Sequence, residues 1–316
     1  MAYSSAKKPF RSVNDFYREK FGAKVFRIPV NAGFSCPNRD GSLGYSGCSF
    51  CTEAAAGEFA GRAEAALATQ YAEISAVMRK KWPQGQTIVY FQANTNTYAP
   101  LAYLQHLYET ALSLDKSVVG IAIATRPDCL DREIVGYLEE LNRRTFVTVE
   151  LGLQTIHEKT ATSINRGYPL AVFDGAIRQL AAAGIHPVAH IINGLPGEDE
   201  AMMLETVRHL NELPVAGVKI HMLYLTETAP LGMIYRKEPF PLLTQEDYCG
   251  IATRQLEIMR PDMIIYRLTG DPPKASLIAP AWSSHKFAVI KAITGILRQR
   301  CSFQGKEYVP AVSRKQ

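Results

Sequence analysis

Six runs rich in β-branched and aromatic residues recur along the chain, at 24–29, 87–92, 118–124, 145–151, 185–192 and 218–225. The intervals hold stretches with helical periodicity, at 64–81, 101–114, 131–141, 170–183 and 199–213. Parallel strands need a long crossover, and a helix fills it, so repeated strand–helix alternation predicts βα units on a parallel sheet. Six units are too few to close an eight-unit barrel. Beyond residue 225 the text turns Pro-rich, with helices expected at 244–259 and 284–300 around one further strand and a loop. The predicted fold is therefore α/β: a partial (β/α)6 TIM-like barrel over 1–229, with an α/β extension over 230–316 as a candidate substrate- or RNA-binding segment.

Three of the strands alternate in polarity. In "TVELGLQ", Thr148, Glu150, Gly152 and Gln154 share one face and Val149, Leu151 and Leu153 the other. Lys219 and His221 share a face of "VKIHMLY", and Tyr90, Gln92 and Asn94 share one of "TIVYFQAN". Side chains alternate faces with period two, and a barrel strand turns one face to the lumen. Polar groups on several lumen faces predict a polar ligand at the C-terminal strand ends; a hydrogen-bonded polar core layer is the plainer alternative. Lys219 and His221 are the candidates for substrate contact.

The stretch "CPNRDGSLGYSGCSFC" follows the first strand and carries Cys36, Cys48 and Cys51 without a fourth cysteine nearby. Thiolates are soft ligands for zinc or iron–sulfur clusters. A structural zinc needs a fourth ligand, such as Cys129, Cys249 or a distant histidine. Three thiolates on a four-iron cluster leave one iron open to a small molecule, which implies chemistry rather than scaffolding. Zinc and, behind it, unligated cysteines are the lesser alternatives, and Cys129, Cys249 and Cys301 read as bland.

Six cysteines in 316 residues do not suggest a disulfide framework. No run approaches the ~18 apolar residues of a membrane span, and the N-terminal residues lack an apolar signal core, so a cytoplasmic protein without a membrane partner is expected. The net charge of +5 is unevenly spread. Residues 1–27 hold seven Lys/Arg against two Asp/Glu, and 286–316 hold seven against one, which leaves the middle acidic. Basic ends suit a polyanion such as RNA, and solvated surface charge explains them equally well.

The cysteine stretch, together with "FQANTNTYAP", "ATRPDCL", "ELGLQT", "NRGY", "GLPGE", "VKIHML", "RLTGDPP" and "LIAPAW", resembles the radical S-adenosylmethionine (SAM) superfamily, and within it the YhcC-type family. The eleven-residue first cysteine gap departs from the superfamily's common Cys-x3-Cys-x2-Cys and is similar to that of the Elongator catalytic subunit. The resemblance implies a [4Fe-4S] cluster on Cys36, Cys48 and Cys51, with Phe50 as the aromatic before the last cysteine. It implies SAM on the open iron, cleaved by one electron to a 5′-deoxyadenosyl radical that abstracts hydrogen from substrate. Residues matching SAM-binding positions are Gln92, Asn94, Thr95 and Asn96 for the amine, Glu150 and Gln154 for the ribose and methionyl portions, and Arg166 for the carboxylate. The segment at Ile192, Asn193 and Gly194 matches the one whose backbone meets adenine. Residues 226–228 read "TET" where the family carries a lysine-glycine-threonine turn.

Likeness to the Elongator subunit, which modifies the wobble uridine side chain, and the basic ends imply a tRNA substrate. The radical chemistry implies an electron donor such as flavodoxin or ferredoxin. A radical enzyme acting on a small metabolite or peptide, and a zinc- or cluster-bearing binding or redox-sensing protein, are the rival readings.

Overall fold

The computed structural model describes residues 8–55 and 57–310. The chain opens with α1 (Val13–Phe21) and continues through β1 (Val25–Val30), α2 (Leu67–Arg79), β2 (Gln86–Phe91), α3 (Leu101–Ser113) and β3 (Val118–Thr125). Then come α4 (Arg132–Arg144), β4 (Phe146–Gln154), the short α5 (Glu158–Ser163), α6 (Leu170–Ala182), β5 (His186–Asn193), α7 (Glu200–Glu212) and β6 (Gly217–Met222). The C-terminal part holds β7 (Leu225–Thr226), α8 (Pro230–Lys237), α9 (Gln245–Ile258), β8 (Ile264–Arg267), β9 (Leu277–Ala279) and α10 (Lys286–Gln299).

The six expected strands form a parallel sheet in chain order, and β8 adds a seventh strand parallel to β6. This sheet curls into a half-barrel with its helices outside. The extension thus lengthens the wall of the barrel, as well as packing on it. β7 and β9 pair antiparallel in a separate small ribbon.

An apolar stripe and a capping side chain hold each of α4, α7 and α9 in place. Asp131 accepts from Ile134 N at the start of α4, and Asp199 and Thr244 do the same for α7 and α9. The buried faces of these helices, with Leu138 and Leu141 of α4, Leu210 of α7 and Leu256 of α9, meet the outer face of the sheet in one large core. Val289, Ile293 and Leu297 of α10 join the same core. A smaller cluster of Tyr17, Val25, Ile88, Tyr90, Ala122 and Phe146 fills the end of the lumen where the strands begin.

Helix α1 was not legible in the periodicity, and it plugs that end. Its Ser12 cap accepts from Asp15 N, Tyr17 is 3% exposed, and the Tyr17 and Phe146 rings meet edge to face at 6.3 Å. The two basic ends also meet there: Gln304 N donates to Pro9 O at 2.8 Å, and Arg11 N donates to Gln304 Oε1 at 2.9 Å. Both ends therefore lie at the opposite end of the barrel from the cysteine loop. Lys7, Arg314 and Lys315, part of the basic ends, lie outside the described residues.

Candidate active site

A cavity of about 740 Å³ opens at the C-terminal strand ends and runs beside the free edge of β1 as far as Lys24 and Trp82. Its wall brings together Cys36, Cys48, Cys51, Phe50, Gln92, Asn94, Thr95, Glu150, Gln154, Lys219 and His221. Asn96, Arg166, Ile192, Asn193 and Gly194 do not line it.

Local hydrogen bonds fold the eleven-residue gap between Cys36 and Cys48. Arg39 N donates to Cys36 O at 2.8 Å, Gly47 N to Asn38 O at 2.7 Å, and Cys51 N to Cys48 O at 2.9 Å. Asn38, 2% exposed, donates to Asn165 O at 2.7 Å, and Asn165 returns a 2.7 Å bond to Gly47 O. Asn38 also approaches Cys48 Sγ at 3.6 Å. These two asparagines pin the loop to the segment after α5. Gly47 has φ of 68°, and a Cβ there would lie 2.9 Å from Arg39 Nε. Glycine thus lets the Arg39 guanidinium cross the loop and donate to the carbonyls of Thr52 and Glu53.

All six cysteines are free. Burial raises the Cys48 thiol, opposed by Arg126, and pushes Cys51 up to about 12, opposed by Arg39. Thiols held in this way are poor nucleophiles, and a bound metal centre is what deprotonates them. Cys129, Cys249 and Cys301 do not line the cavity. Among the described residues, no three or more His, Cys, Asp or Glu side chains converge tightly enough to cage one ion. Three soft sulfur donors around one cavity, with no fourth cysteine on its wall among the described residues, fit a cluster with an open iron better than a closed tetrahedral zinc.

The end of β2 supplies backbone and amide groups. Asn94 sits in the left-handed region with φ of 60°, and its N–H donates to Ala55 O at 3.2 Å. Asn96 is fully buried and structural: its amide donates to Ala124 O at 2.8 Å and Ala93 O at 3.0 Å, which locks β2 to β3. On β4, Gln154 has φ of 65° at a register irregularity after Gly152. A non-glycine residue adopts this conformation only where its surroundings hold it there.

Arg166 faces away from the cavity. Its side chain is buried, with Nε 3.0 Å from Tyr168 O, Nη1 3.0 Å from Leu153 O and 2.6 Å from Thr155 O, and Nη2 3.3 Å from Glu158. The guanidinium is spent on holding the loop after β4. Arg126 of "ATRPDCL" does reach the wall, clamped by Asp128 at 2.7 Å, and both arginines lie over the Tyr168 ring. Asn193 turns into the core, where it exchanges hydrogen bonds of 2.8 and 2.9 Å with Gln255.

Deeper in the lumen, Glu150 is a hub with no exposed side-chain surface. Arg27 donates to one oxygen. Tyr90 at 2.8 Å, His190 at 3.0 Å and Lys219 meet the other. Burial raises the Glu150 carboxyl, but Arg27 and Lys219 overcome it and hold it well below the usual range. Burial drives Lys219 down to about 7 and His190 to about 4. Arg27 and Arg267 were not singled out from sequence, and His190 reads there as a satisfied core histidine, which its bond to Glu150 matches. Only the lumen-facing alternation of their strands carries a hint of the two arginines.

Two sequence models match the chain: the radical SAM superfamily over residues 35–210, and the radical SAM C-terminal domain over 215–299. The chain belongs to the radical SAM superfamily. Within it, YtqA of Bacillus subtilis (strain 168) is 47% identical over 304 residues, covering 96% of this chain and 94% of YtqA. YhcC of Escherichia coli (strain K12) is 33% identical over 272 residues, 85% of each chain. Elp3 of the archaeon Methanocaldococcus infernus, solved without residues 1–46, superimposes with a TM-score of 0.65 at 15% identity. That match covers 89% of this chain and 64% of the Elp3 chain, and it shows the shared fold. Membership in the radical SAM superfamily implies SAM and a [4Fe-4S] cluster. Among the described residues, no helix is long and apolar enough to cross a membrane.

Proposed function

We propose that Cys36, Cys48 and Cys51 hold the [4Fe-4S] cluster, and that the enzyme modifies a tRNA base, the wobble uridine side chain, with electrons from a flavodoxin or ferredoxin. The observation that carries the assignment is the meeting of all three thiols with the polar ends of β2, β4 and β6 on one cavity wall. Once bound, the cluster and SAM supply a 5′-deoxyadenosyl radical that removes hydrogen from an unactivated carbon. The protein's part is to hold both reactants. Gln92, Asn94 and Thr95 offer amide, hydroxyl and backbone groups near the cysteine mouth, and Gln154 offers a second amide across the lumen.

Three features support an RNA substrate. The Elongator-like cysteine spacing and the Elp3-like fold point to wobble uridine. The cavity continues along the open edge of β1 toward the basic end of the barrel, a path that suits a polyanion. Exposed aromatic residues at Tyr45, Phe59, Tyr98 and Tyr103 offer faces for unstacked bases.

Nucleoside mass spectrometry of tRNA from a deletion strain tests the substrate. A modified wobble uridine should be lost or halted at a precursor. An unchanged profile removes the tRNA assignment and favours a small metabolite or peptide. Anaerobic reconstitution tests the chemistry: a colourless zinc protein that leaves SAM intact refutes the radical reading.

A further inference from the structure

In the register of the sheet, Arg267 of β8 pairs with Lys219 of β6, and Lys219 with His190 of β5. The three side chains therefore form a row on the cavity wall, with neighbours about 4.8 Å apart along the hydrogen-bonding direction. His221 stands two residues beyond Lys219, the next lumen position toward the mouth.

The acidic groups closest to the row, Glu150 and Asp271, already have cationic partners. Glu150 is shared by Arg27, Lys219, His190 and Tyr90. Asp271, on the same wall, lies 2.5 Å from Lys286, and Glu58 accepts from Thr52. Among the described residues, Arg267 has no carboxylate within ion-pair distance. The His221 Nε2 atom is buried without a hydrogen-bond partner. Arg27 and Lys219 thus share the single buried carboxylate of Glu150, and Arg267 stands beside them at the exposed side of the wall without a carboxylate of its own. The depressed Lys219 and His221 are consistent with this crowding: burial is the main cause in both, and Arg267 adds to it.

We propose that this row is an oxyanion subsite, in which Arg267 and Lys219 flank a carboxylate or phosphate of the substrate and His221 Nε2–H donates a third hydrogen bond. The proposal rests on the enzyme reading above and narrows its substrate to a molecule with an anionic group close to the carbon that loses hydrogen. A carboxylate on a base substituent and a phosphate of the nucleotide are the two sources of that chemistry.

The test is calorimetric titration of the anaerobically reconstituted full chain with acetate, inorganic phosphate and SAM in separate arms. It compares the wild type with Arg267→Gln and Arg267→Lys. The exposed strand-end position of Arg267 makes both variants foldable. The wild type should bind at least one of the two anions. Arg267→Gln should bind it about tenfold more weakly, the loss of one charge-assisted hydrogen bond, with recovery in Arg267→Lys and unchanged SAM affinity. Preference for acetate or for phosphate identifies the source. No anion binding by the wild type, or equal binding by Arg267→Gln, overturns the subsite. A parallel fall in SAM affinity overturns it too, because the row then serves the cofactor's own carboxylate. Failure to cleave SAM on reduction sinks the enzyme reading without altering the anion result.

Discussion

The Lys219 ammonium on β6 rests against the Glu150 carboxylate on β4, two strands away, with the Tyr90 hydroxyl 3.0 Å from the same nitrogen. Arg27 reaches the other carboxylate oxygen from β1, its guanidinium lying between the Tyr90 and Tyr266 rings at 5.0 and 4.9 Å. One buried carboxylate therefore ties its own strand to four others of the half-barrel across the lumen. Arg27 alone balances its charge, which makes the Lys219 ammonium the surplus cation.

Removing the hub should cost more than removing the surplus cation. Glu150→Gln leaves Arg27 and Lys219 buried without a counterion and should lower stability by about 3–5 kcal/mol. Lys219→Met leaves Glu150 with Arg27, Tyr90 and His190, so its loss should be under half as large. Urea midpoints of the two variants check the order, and a larger loss in Lys219→Met contradicts the charge balance drawn here.

The depressed Lys219 also gives stability a pH slope. Its ordinary value is 10.5, and burial lowers it to about 7 in the folded chain. Between those values the unfolded chain holds a proton that the folded chain has released. Stability should therefore rise with pH through this window. Urea midpoints across it should show the rise in the wild type and a smaller rise in Lys219→Met. Equal slopes in both proteins place the titration elsewhere.

Cluster assembly should depend on three cysteines and no others. Cys36→Ala, Cys48→Ala and Cys51→Ala should each fall well below about four irons per chain after reconstitution and lose 5′-deoxyadenosine production. Cys129→Ser and Cys301→Ser, both outside the cavity wall, should keep the wild-type iron content. Iron analysis and visible absorption give the readout.

Arg166 offers a contrast between two roles. Its hydrogen bonds to Leu153, Thr155 and Tyr168 carbonyls make it a structural clamp. Arg166→Gln leaves buried carbonyls unmet and should destabilise by on the order of 2–4 kcal/mol. A variant with unchanged melting and much weaker SAM binding restores the carboxylate role that the resemblance implied.

The sequence by itself determined the strand–helix alternation, the cysteine spacing and the faces of the strands. These are local properties: period two alone sets Glu150, Gln154, Lys219 and His221 on the lumen side, and all four line the cavity. The tertiary structure decided what each polar group does, because partners come from distant strands. Glu150 draws residues 27, 90, 190 and 219 to itself, a meeting that no spacing in the chain announces. Arg166 turned from the cavity because carbonyls of its own loop needed donors, and desolvation makes a buried carbonyl a strong claim on a guanidinium. Helix α1 became the plug of the barrel, and β8 its seventh strand, for a related reason. Apolar surface at an open barrel end and an unpaired sheet edge both call for cover, and the segment that supplies it is chosen by where the folded chain ends up.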